Sequence, residues 1–161
     1  MIGRREVMAL VDGAKSIGIN MDEEKIEMFL QYERILEEWS ERINLVRFRD
    51  REELYRSHFL DSLCCAKGAE LCEGVRFIDI GSGAGFPGIP LKICFPETTV
   101  YLLESQKKKC MFLEAVVEKL GLKECFVVNK RAEVYAREEG RSSFDVVVSR
   151  AVASVAVLLE L

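Results

Sequence analysis

A glycine-rich turn constrains the fold of this chain more than any other segment. The turn spans residues 79–88 (DIGSGAGFPG) and follows a short apolar run, residues 75–80, that is typical of a strand. Glycine adopts positive φ without strain and lets a ligand come close to the backbone. Because ligands of doubly wound sheets bind beyond the carboxyl ends of the strands, four glycines at this place predict a nucleotide-binding loop rather than a simple tight turn.

Strands and helices alternate after residue 73, and this predicts an α/β fold with a parallel sheet covered on both faces. The predicted strands are 75–80, 99–103, 125–128 and 144–148, and the predicted helices are 89–94, 106–120, 132–137 and one that begins at Ser154. Ahead of them, residues 7–19, 24–43 and 51–71 have helical patterning. We expect a single domain over 1–161, with a helical extension over 1–72 and a Rossmann-like core over 73–161.

Two nucleotide motifs overlap in the glycine-rich turn. Residues 83–88 fit the dinucleotide pattern G-x-G-x-x-G, but this pattern starts after the strand has ended, and Pro87 removes a backbone donor that a pyrophosphate would use. Residues 79–85 instead form D-x-G-x-G-x-G, which resembles the first motif of class I methyltransferases, the motif that holds the amino-acid part of S-adenosylmethionine. This alternative assigns cofactor binding to Asp79, Gly81, Gly83 and Gly85. An NAD-dependent oxidoreductase is the second hypothesis.

Glu104 is the second candidate cofactor residue. It ends the second predicted strand, 19 residues after Gly85. A carboxylate at that place can accept hydrogen bonds from both hydroxyls of a ribose. Since NAD and S-adenosylmethionine both contain this ribose, Glu104 predicts a nucleoside site without deciding between the two cofactors.

Three segments resemble the ribosomal RNA small-subunit methyltransferase G family, formerly called glucose-inhibited division protein B. Residues 58–62 match its H-x-x-D-S element, residues 77–90 match its extended glycine-rich loop with the ending F-P-G-I-P, and residues 149–154 match its S-R-A-x-A-S element. The match extends over about residues 22–161. Family members continue through further strands, so the resemblance implies that C-terminal strands of the sheet are missing from this sequence.

The resemblance implies methyl transfer from S-adenosylmethionine to guanine N7 in small-subunit (16S) ribosomal RNA, with that RNA or the ribosomal subunit as the partner. The family's cofactor contacts fall at positions that match Gly81, Phe86, Ala132, Glu133 and Arg150. A non-catalytic remnant that binds cofactor or RNA is a third hypothesis, because the chain is short.

Methyl transfer to guanine N7 needs no general base, because N7 carries a lone pair and no proton. Orientation of the reactants can supply most of the acceleration. The sequence shows no evident catalytic dyad, so the catalytic residues remain unassigned, with Arg150 and His58 as the candidates. Asp61 follows His58 at helical spacing, but we favour a structural role in which His58 ties the helical extension to the glycine-rich turn.

The formal net charge of −4 gives no global attraction for RNA, so RNA contact requires a local basic surface. Four arginines around the loop after the second predicted helix are the preferred RNA-facing group: Arg47, Arg49, Arg51 and Arg56. Two other basic groups, residues 107–109 and 130–131, also fit ordinary surface charge.

No apolar run approaches the ~20 residues that cross a bilayer, and the N-terminus does not resemble a signal peptide. We expect a cytoplasmic, monomeric protein that contacts no membrane. The six cysteines form no C-x-x-C pair and no metal-binding pattern. They are expected to be reduced and buried, and no metal site is expected.

Overall fold

A computed structural model describes residues 4–140 and 143–150. The helical extension contains α1 (Arg4–Ser16), α2 (Glu23–Ser40) and one helical run made of α3 (Arg51–Glu53), a π-helical segment (Leu54–Leu60), α4 (Asp61–Cys64) and a 3-10 turn (Cys65–Gly68). Asp22 caps α2, because its Oδ1 accepts a hydrogen bond of 2.9 Å from the Lys25 backbone N–H. Glu23 and Glu24 follow in the first turn, where the helix dipole favours acidic side chains.

Four parallel strands form a sheet in the order β3-β2-β1-β4. The strands are β1 (Arg76–Ile80), β2 (Thr99–Leu103), β3 (Cys125–Val128) and β4 (Val146–Ser149), and the helices between them are α5 (Gly88–Cys94), α6 (Lys107–Lys119) and α7 (Ala132–Tyr135), which continues as a π-helical segment (Ala136–Gly140). The alternation predicted from the sequence is confirmed. The helix predicted from Ser154 lies outside the described residues.

The hydrophobic core occupies both faces of the sheet and is larger on one of them. Alternate strand residues such as Phe77 and Leu102 join this larger core, together with Phe29 from α2 and Phe59 from the π-helical segment. Because side chains alternate along a strand, Ile78 and its neighbours face the other side and form a smaller cluster. The helical extension therefore shares its core with the sheet, and this fixes α2 against α5 and α6.

The run after residue 50 differs from its prediction in two ways. It was expected to be one helix over 51–71, whereas the last helical turn ends at Gly68 and a π-helical segment interrupts it. Such π-helical segments occur frequently at functional sites, and this one carries His58.

The cysteines agree only in part with the expectation of burial. Cys94, Cys110 and Cys125 are buried free thiols, whereas the other three are exposed: Cys64, Cys65 and Cys72. The exposed thiols lie at the end of the helical run and in the connection that follows it, where the chain leaves the core. The exposure of these three thiols could not be predicted from their neighbours in the sequence, many of which are apolar.

Candidate active site

A cleft opens where the first three strands end. Ile80 pairs with Leu103, and Leu103 pairs with Val128, so the turns that follow these strands meet at one edge of the sheet. Between them lies a cleft of about 310 Å³, within the range of small-molecule sites. Four of the predicted cofactor residues line it: Gly81, Glu104, Ala132 and Glu133.

Glu104 is held rigidly at the wall of the cleft. Its side chain is nearly buried, Oε2 accepts a hydrogen bond of 2.9 Å from the Gly83 backbone N–H, and Oε1 accepts one of 2.8 Å from the Gln106 backbone N–H. The side-chain Nδ2 of Asn129 donates to the Glu104 carbonyl at 2.9 Å. Each carboxylate oxygen has a second acceptor position. Glu104 can therefore accept the hydroxyls of a nucleoside while it also holds Gly83.

The glycine-rich turn is supported from the helical extension. The hydroxyl of Tyr32, which is fully buried on α2, donates a hydrogen bond to the carbonyl of Ala84. Burial and the nearby Asp79 raise the pKa of Tyr32 well above its ordinary value, so the hydroxyl keeps its proton. Within the turn, the Gly85 N–H donates to the Ser82 carbonyl at 2.7 Å. These contacts fix the backbone that borders the cleft.

We expect Tyr32→Phe to loosen the glycine-rich turn while α2 stays folded. The ring remains, but the buried Ala84 carbonyl loses its donor, at a cost of about 1–3 kcal/mol. Hydrogen–deuterium exchange at the backbone N–H of Gly85 and Phe86 should accelerate several-fold. Tyr101→Phe is the matched control, because the Tyr101 hydroxyl contacts only the exposed Arg76 side chain among the described hydrogen bonds. Equal exchange in the two variants would contradict a supporting role for Tyr32.

Asp79 lies beneath the turn as a fully buried carboxyl. Its Oδ2 accepts a hydrogen bond of 3.0 Å from the Gly88 backbone N–H, at the first residue of α5. Oδ1 is buried and has no hydrogen-bond partner in the described part of the chain. Burial raises the pKa of Asp79 to about 7, an effect that the hydrogen bond from Gly88 opposes and the charge of Glu104 increases.

The raised pKa of Asp79 predicts a pH-dependent stability with a definite sign. Between the ordinary pKa of 3.8 and about 7, folded Asp79 keeps a proton that the unfolded chain releases. The contribution of Asp79 to the free energy of unfolding therefore falls as pH rises through that window, by about 1.4 kcal/mol per pH unit. Urea unfolding between pH 5 and 8 gives the free energy of unfolding of the wild type and of Asp79→Asn. The difference, wild type minus variant, should decline with pH and level off near pH 7. A difference that is independent of pH would contradict this assignment.

His58, Phe86 and Arg150 lie on the side of the turn that faces the helical extension. The Phe86 ring is buried, with its centroid 5.2 Å from that of His58. Arg150 Nη2 donates to the Ser57 carbonyl at 2.7 Å and lies 3.7 Å from Asp61 Oδ2, whereas its Nη1 is buried without a partner among the described residues. Burial and the charge of Arg150 lower the pKa of His58. The three segments that carry the sequence resemblance thus contact one another.

The nine predicted cofactor residues separate into three groups. Gly81, Glu104, Ala132 and Glu133 line the cleft, and Gly83 joins them through its hydrogen bond to Glu104. The residues behind the cleft, in or below the turn, are Asp79, Gly85 and Phe86. Arg150 lies with His58, away from the lining of the cleft. Sequence reasoning missed Tyr32 and Asn129. Tyr32 follows Phe29 at helical spacing on the buried face of α2, and Asn129 directly follows β3.

The structure shows that one of the four candidate RNA-binding arginines is engaged inside the protein. Arg51 forms a salt bridge to the buried carboxylate of Glu33, with Nη2 2.6 Å from Oε2, and the Tyr55 hydroxyl donates to the same Glu33 oxygen at 2.8 Å. This pair anchors the start of α3 to α2. The contact with Glu33 raises the pKa of Arg51 further, so the charge of Arg51 is permanent and already compensated.

The other three candidate arginines are more accessible. Arg49 Nε lies 3.2 Å from Glu53 Oε2 in an exposed ion pair, which contributes little stability. Arg47 and Arg56 are exposed. Neither forms an ion pair with another residue in the described ranges.

The part of the chain that the structure describes contains neither a candidate membrane span nor a candidate metal cluster. No helix there is both long and apolar enough to span a bilayer. Over the same residues, His, Cys, Asp and Glu side chains form no group of three or more that could hold a metal ion.

Comparisons with known proteins agree with this geometry. The chain is similar to "Ribosomal RNA small subunit methyltransferase G" of Alkaliphilus metalliredigens, 44% identical over 154 residues, which cover 95% of this chain and 64% of that protein. The protein of the same name from Acetivibrio thermocellus is 43% identical over 157 residues, with 94% and 62% covered. The chain thus spans under two thirds of the length of these curated relatives.

Solved structures share the fold at low sequence identity. A protein-L-isoaspartate O-methyltransferase superposes with a TM-score of 0.59 and 17% identity, covering 90% of this chain and 46% of that one. MtNAS in complex with MTA and tNA gives a TM-score of 0.54 and 19% identity, covering 92% and 51%. These likenesses show the class I methyltransferase fold. The family model of rRNA small subunit methyltransferase G matches residues 25–161, and the chain therefore belongs to that family.

Proposed function

We propose that this chain binds S-adenosylmethionine in the cleft and methylates guanine N7 in small-subunit ribosomal RNA. The observation that carries the proposal is the buried carboxylate of Glu104, held by the Gly83 and Gln106 N–H groups at the end of β2. The names of the curated relatives and membership of the family support the same activity.

The residues of the cleft fit such a cofactor. Glu104 would accept the ribose hydroxyls, and Ala132 with Glu133 would border the adenine. Gly81 and the rest of the turn would lie against the amino-acid part, supported by Asp79 and Tyr32 from behind. When bound, S-adenosylmethionine supplies a methyl group on a positively charged sulfur. The chain's own task is to hold the acceptor base in line with that group and to exclude water.

This chemistry requires no proton acceptor, and the contacts of His58 indicate a structural role. Burial and Arg150 lower the pKa of His58, and no described side chain forms a hydrogen bond to its ring. We propose that His58 and Phe86 form a packed support for the turn. Arg150, whose Nη1 has no partner among the described residues, can donate a hydrogen bond to a ligand on this side.

The geometry of Asp79 disfavours the alternative of NAD binding. A dinucleotide pyrophosphate needs free N–H donors at the start of the helix after β1. Here the Gly88 N–H donates to Asp79, Pro87 has no N–H, and α5 is only seven residues long. A carboxyl group thus occupies the place of the phosphates.

We propose that the RNA approaches on the side of Arg47, Arg49 and Arg56, with Arg51 fixing the loop that carries Arg47 and Arg49. We further propose that the protein acts as a cytoplasmic monomer, a state that size-exclusion chromatography checks. The shared core of α2, α5 and α6 supports a single domain over 1–161, with an extension over 1–72 and an α/β core over 73–161.

The test is methyl transfer from radiolabelled S-adenosylmethionine to isolated small subunits and to their naked RNA. We expect label in the RNA and, after chemical cleavage at modified bases, a single N7-methylguanine. The control is the same reaction with Glu104→Gln. Cofactor binding without any transfer would instead favour the non-catalytic remnant.

A further inference from the structure

A group of basic residues lies on the two connections that lead away from the cleft beside Glu104. It consists of Lys107, Lys108 and Lys109 in the first turn of α6 and Arg131 before α7, and we name it the basic rim. We propose that the basic rim binds backbone phosphates of the substrate RNA, so that the strand crosses the ribose side of the cofactor cleft. This inference rests on the proposed function and adds a second RNA contact to it.

Hydrogen bonds join the two connections that lead to the basic rim. Asn129 Nδ2 donates to the carbonyls of Glu104 and Ser105 at 2.9 and 3.0 Å. The Glu104 N–H donates to the Val128 carbonyl at 3.0 Å. These bonds join the connection after β2 to the connection after β3, and Arg131 itself lines the cleft. Arg131 therefore belongs to the cleft lining, and the lysines begin two residues after Ser105, which also lines the cleft.

The charges of the basic rim are uncompensated within the described residues. None of its four cations forms an ion pair there, whereas the neighbouring Lys130 lies 2.9 Å from Glu138. The positions three and four residues after the lysines are 110–113, with the sequence Cys-Met-Phe-Leu, so no acidic partner is available along α6. The chain has a formal net charge of −4, so the positive charge of the rim differs in sign from the chain as a whole.

The position of the lysines opposes the helix dipole. The amino end of a helix carries partial positive charge, which favours acidic side chains and disfavours basic ones. In α2 of the same chain, Glu23 and Glu24 occupy the first turn behind the cap of Asp22. In contrast, α6 has no acidic residue in its first turn and no side-chain cap. The helix dipole therefore does not favour the lysines, although the Glu104 carboxylate accepts the Gln106 N–H at this end of α6. An anion that covers the rim would reduce the repulsion between its cations.

An RNA backbone is the partner whose chemistry matches the rim. Lysine ammonium groups bind phosphates as point charges, and such contacts position a nucleic acid without selecting its sequence. Lys107, Lys108 and Arg131 are exposed and can reach an extended strand. Because the rim adjoins the cleft, a strand held there lies next to the cofactor.

The experiment compares the triple variant Lys107→Gln/Lys108→Gln/Lys109→Gln with Lys15→Gln/Lys67→Gln/Lys123→Gln. The control removes the same charge from three lysines that are exposed elsewhere. Binding of a labelled small-subunit RNA fragment is measured by fluorescence anisotropy at several salt concentrations. Calorimetry with S-adenosylmethionine and thermal unfolding are measured on the same samples.

We expect the rim variant to bind RNA about tenfold more weakly or worse, and the slope of log affinity against log salt to fall by about two. Its cofactor affinity should stay within about twofold of wild type and its unfolding temperature should not decrease, since an unfavourable dipole interaction has been removed. The control variant should keep the wild-type affinity for RNA.

Three results would overturn the inference. They are unchanged RNA affinity and salt slope in the rim variant, an equal loss in the control, or a parallel loss of cofactor binding. If the wild type transfers methyl groups while the rim variant binds RNA normally, only the rim assignment fails. If the wild type binds neither cofactor nor RNA, both the rim assignment and the proposed function fail.

Discussion

Gly85→Ala is expected to destabilise the protein by about 2–5 kcal/mol and to abolish cofactor binding. Gly85 has φ of +91°, and an added Cβ would lie 2.6 Å from Ile89 Cγ1 and 2.6 Å from the Tyr32 hydroxyl oxygen. Both neighbours are buried, so neither can move without displacing the core. The turn would have to shift, and with it the wall of the cleft.

Gly18→Ala separates backbone strain from crowding. Gly18 has φ of +83°, and an added Cβ there would meet no atom within 4 Å. This substitution should lower the free energy of unfolding by about 1–2 kcal/mol, which is the strain of the left-handed conformation alone. Urea unfolding gives both free energies, and calorimetry gives cofactor binding. Equal costs at the two positions would contradict the close packing of Tyr32 against the turn.

Glu104→Gln is expected to weaken cofactor binding by about 10–100-fold. The substitution keeps the shape of the side chain, but one of the two acceptor oxygens becomes an NH₂ group that faces the N–H of Gly83 or Gln106. Losing a hydrogen bond to a charged group costs about 1.5–3 kcal/mol, and the ribose loses a charged acceptor as well. The dissociation constant for S-adenosylmethionine, measured by calorimetry, reports the effect.

Glu118→Gln on the exposed side of α6 is the matched control for Glu104→Gln and should bind cofactor as the wild type does. Thermal unfolding of both variants shows whether the loss at Glu104 is local. Wild-type affinity in Glu104→Gln would remove this carboxylate from the site.

The sequence predicted the elements and the place of the cleft, because these depend on local signals. Short apolar runs identified β1, which is followed by Gly81, and β2, which is followed by Glu104, to within one residue. The position of Glu104 at a strand end placed it at the cleft before any contact was known. Such signals need only the periodicity of the strands and the rule that parallel strands end at one edge.

Features that depend on distant contacts could not be predicted. The partner of Arg51 is Glu33, 18 residues earlier in the chain. The sequence therefore grouped four arginines as one RNA-facing surface, although Arg51 forms a salt bridge to a buried carboxylate. Tyr32 supports Ala84 across 52 residues. The π-helical segment at Leu54–Leu60 has the apolar periodicity of an ordinary helix, and nothing local distinguishes it.

Calorimetric titration of the wild-type chain with S-adenosylmethionine and, separately, with NAD identifies the cofactor of the cleft. We expect stoichiometric binding of S-adenosylmethionine that Glu104→Gln weakens, and no heat of binding with NAD. Binding of NAD in the absence of S-adenosylmethionine binding would contradict this expectation, because the cleft would then accept a diphosphate where Asp79 holds the Gly88 N–H.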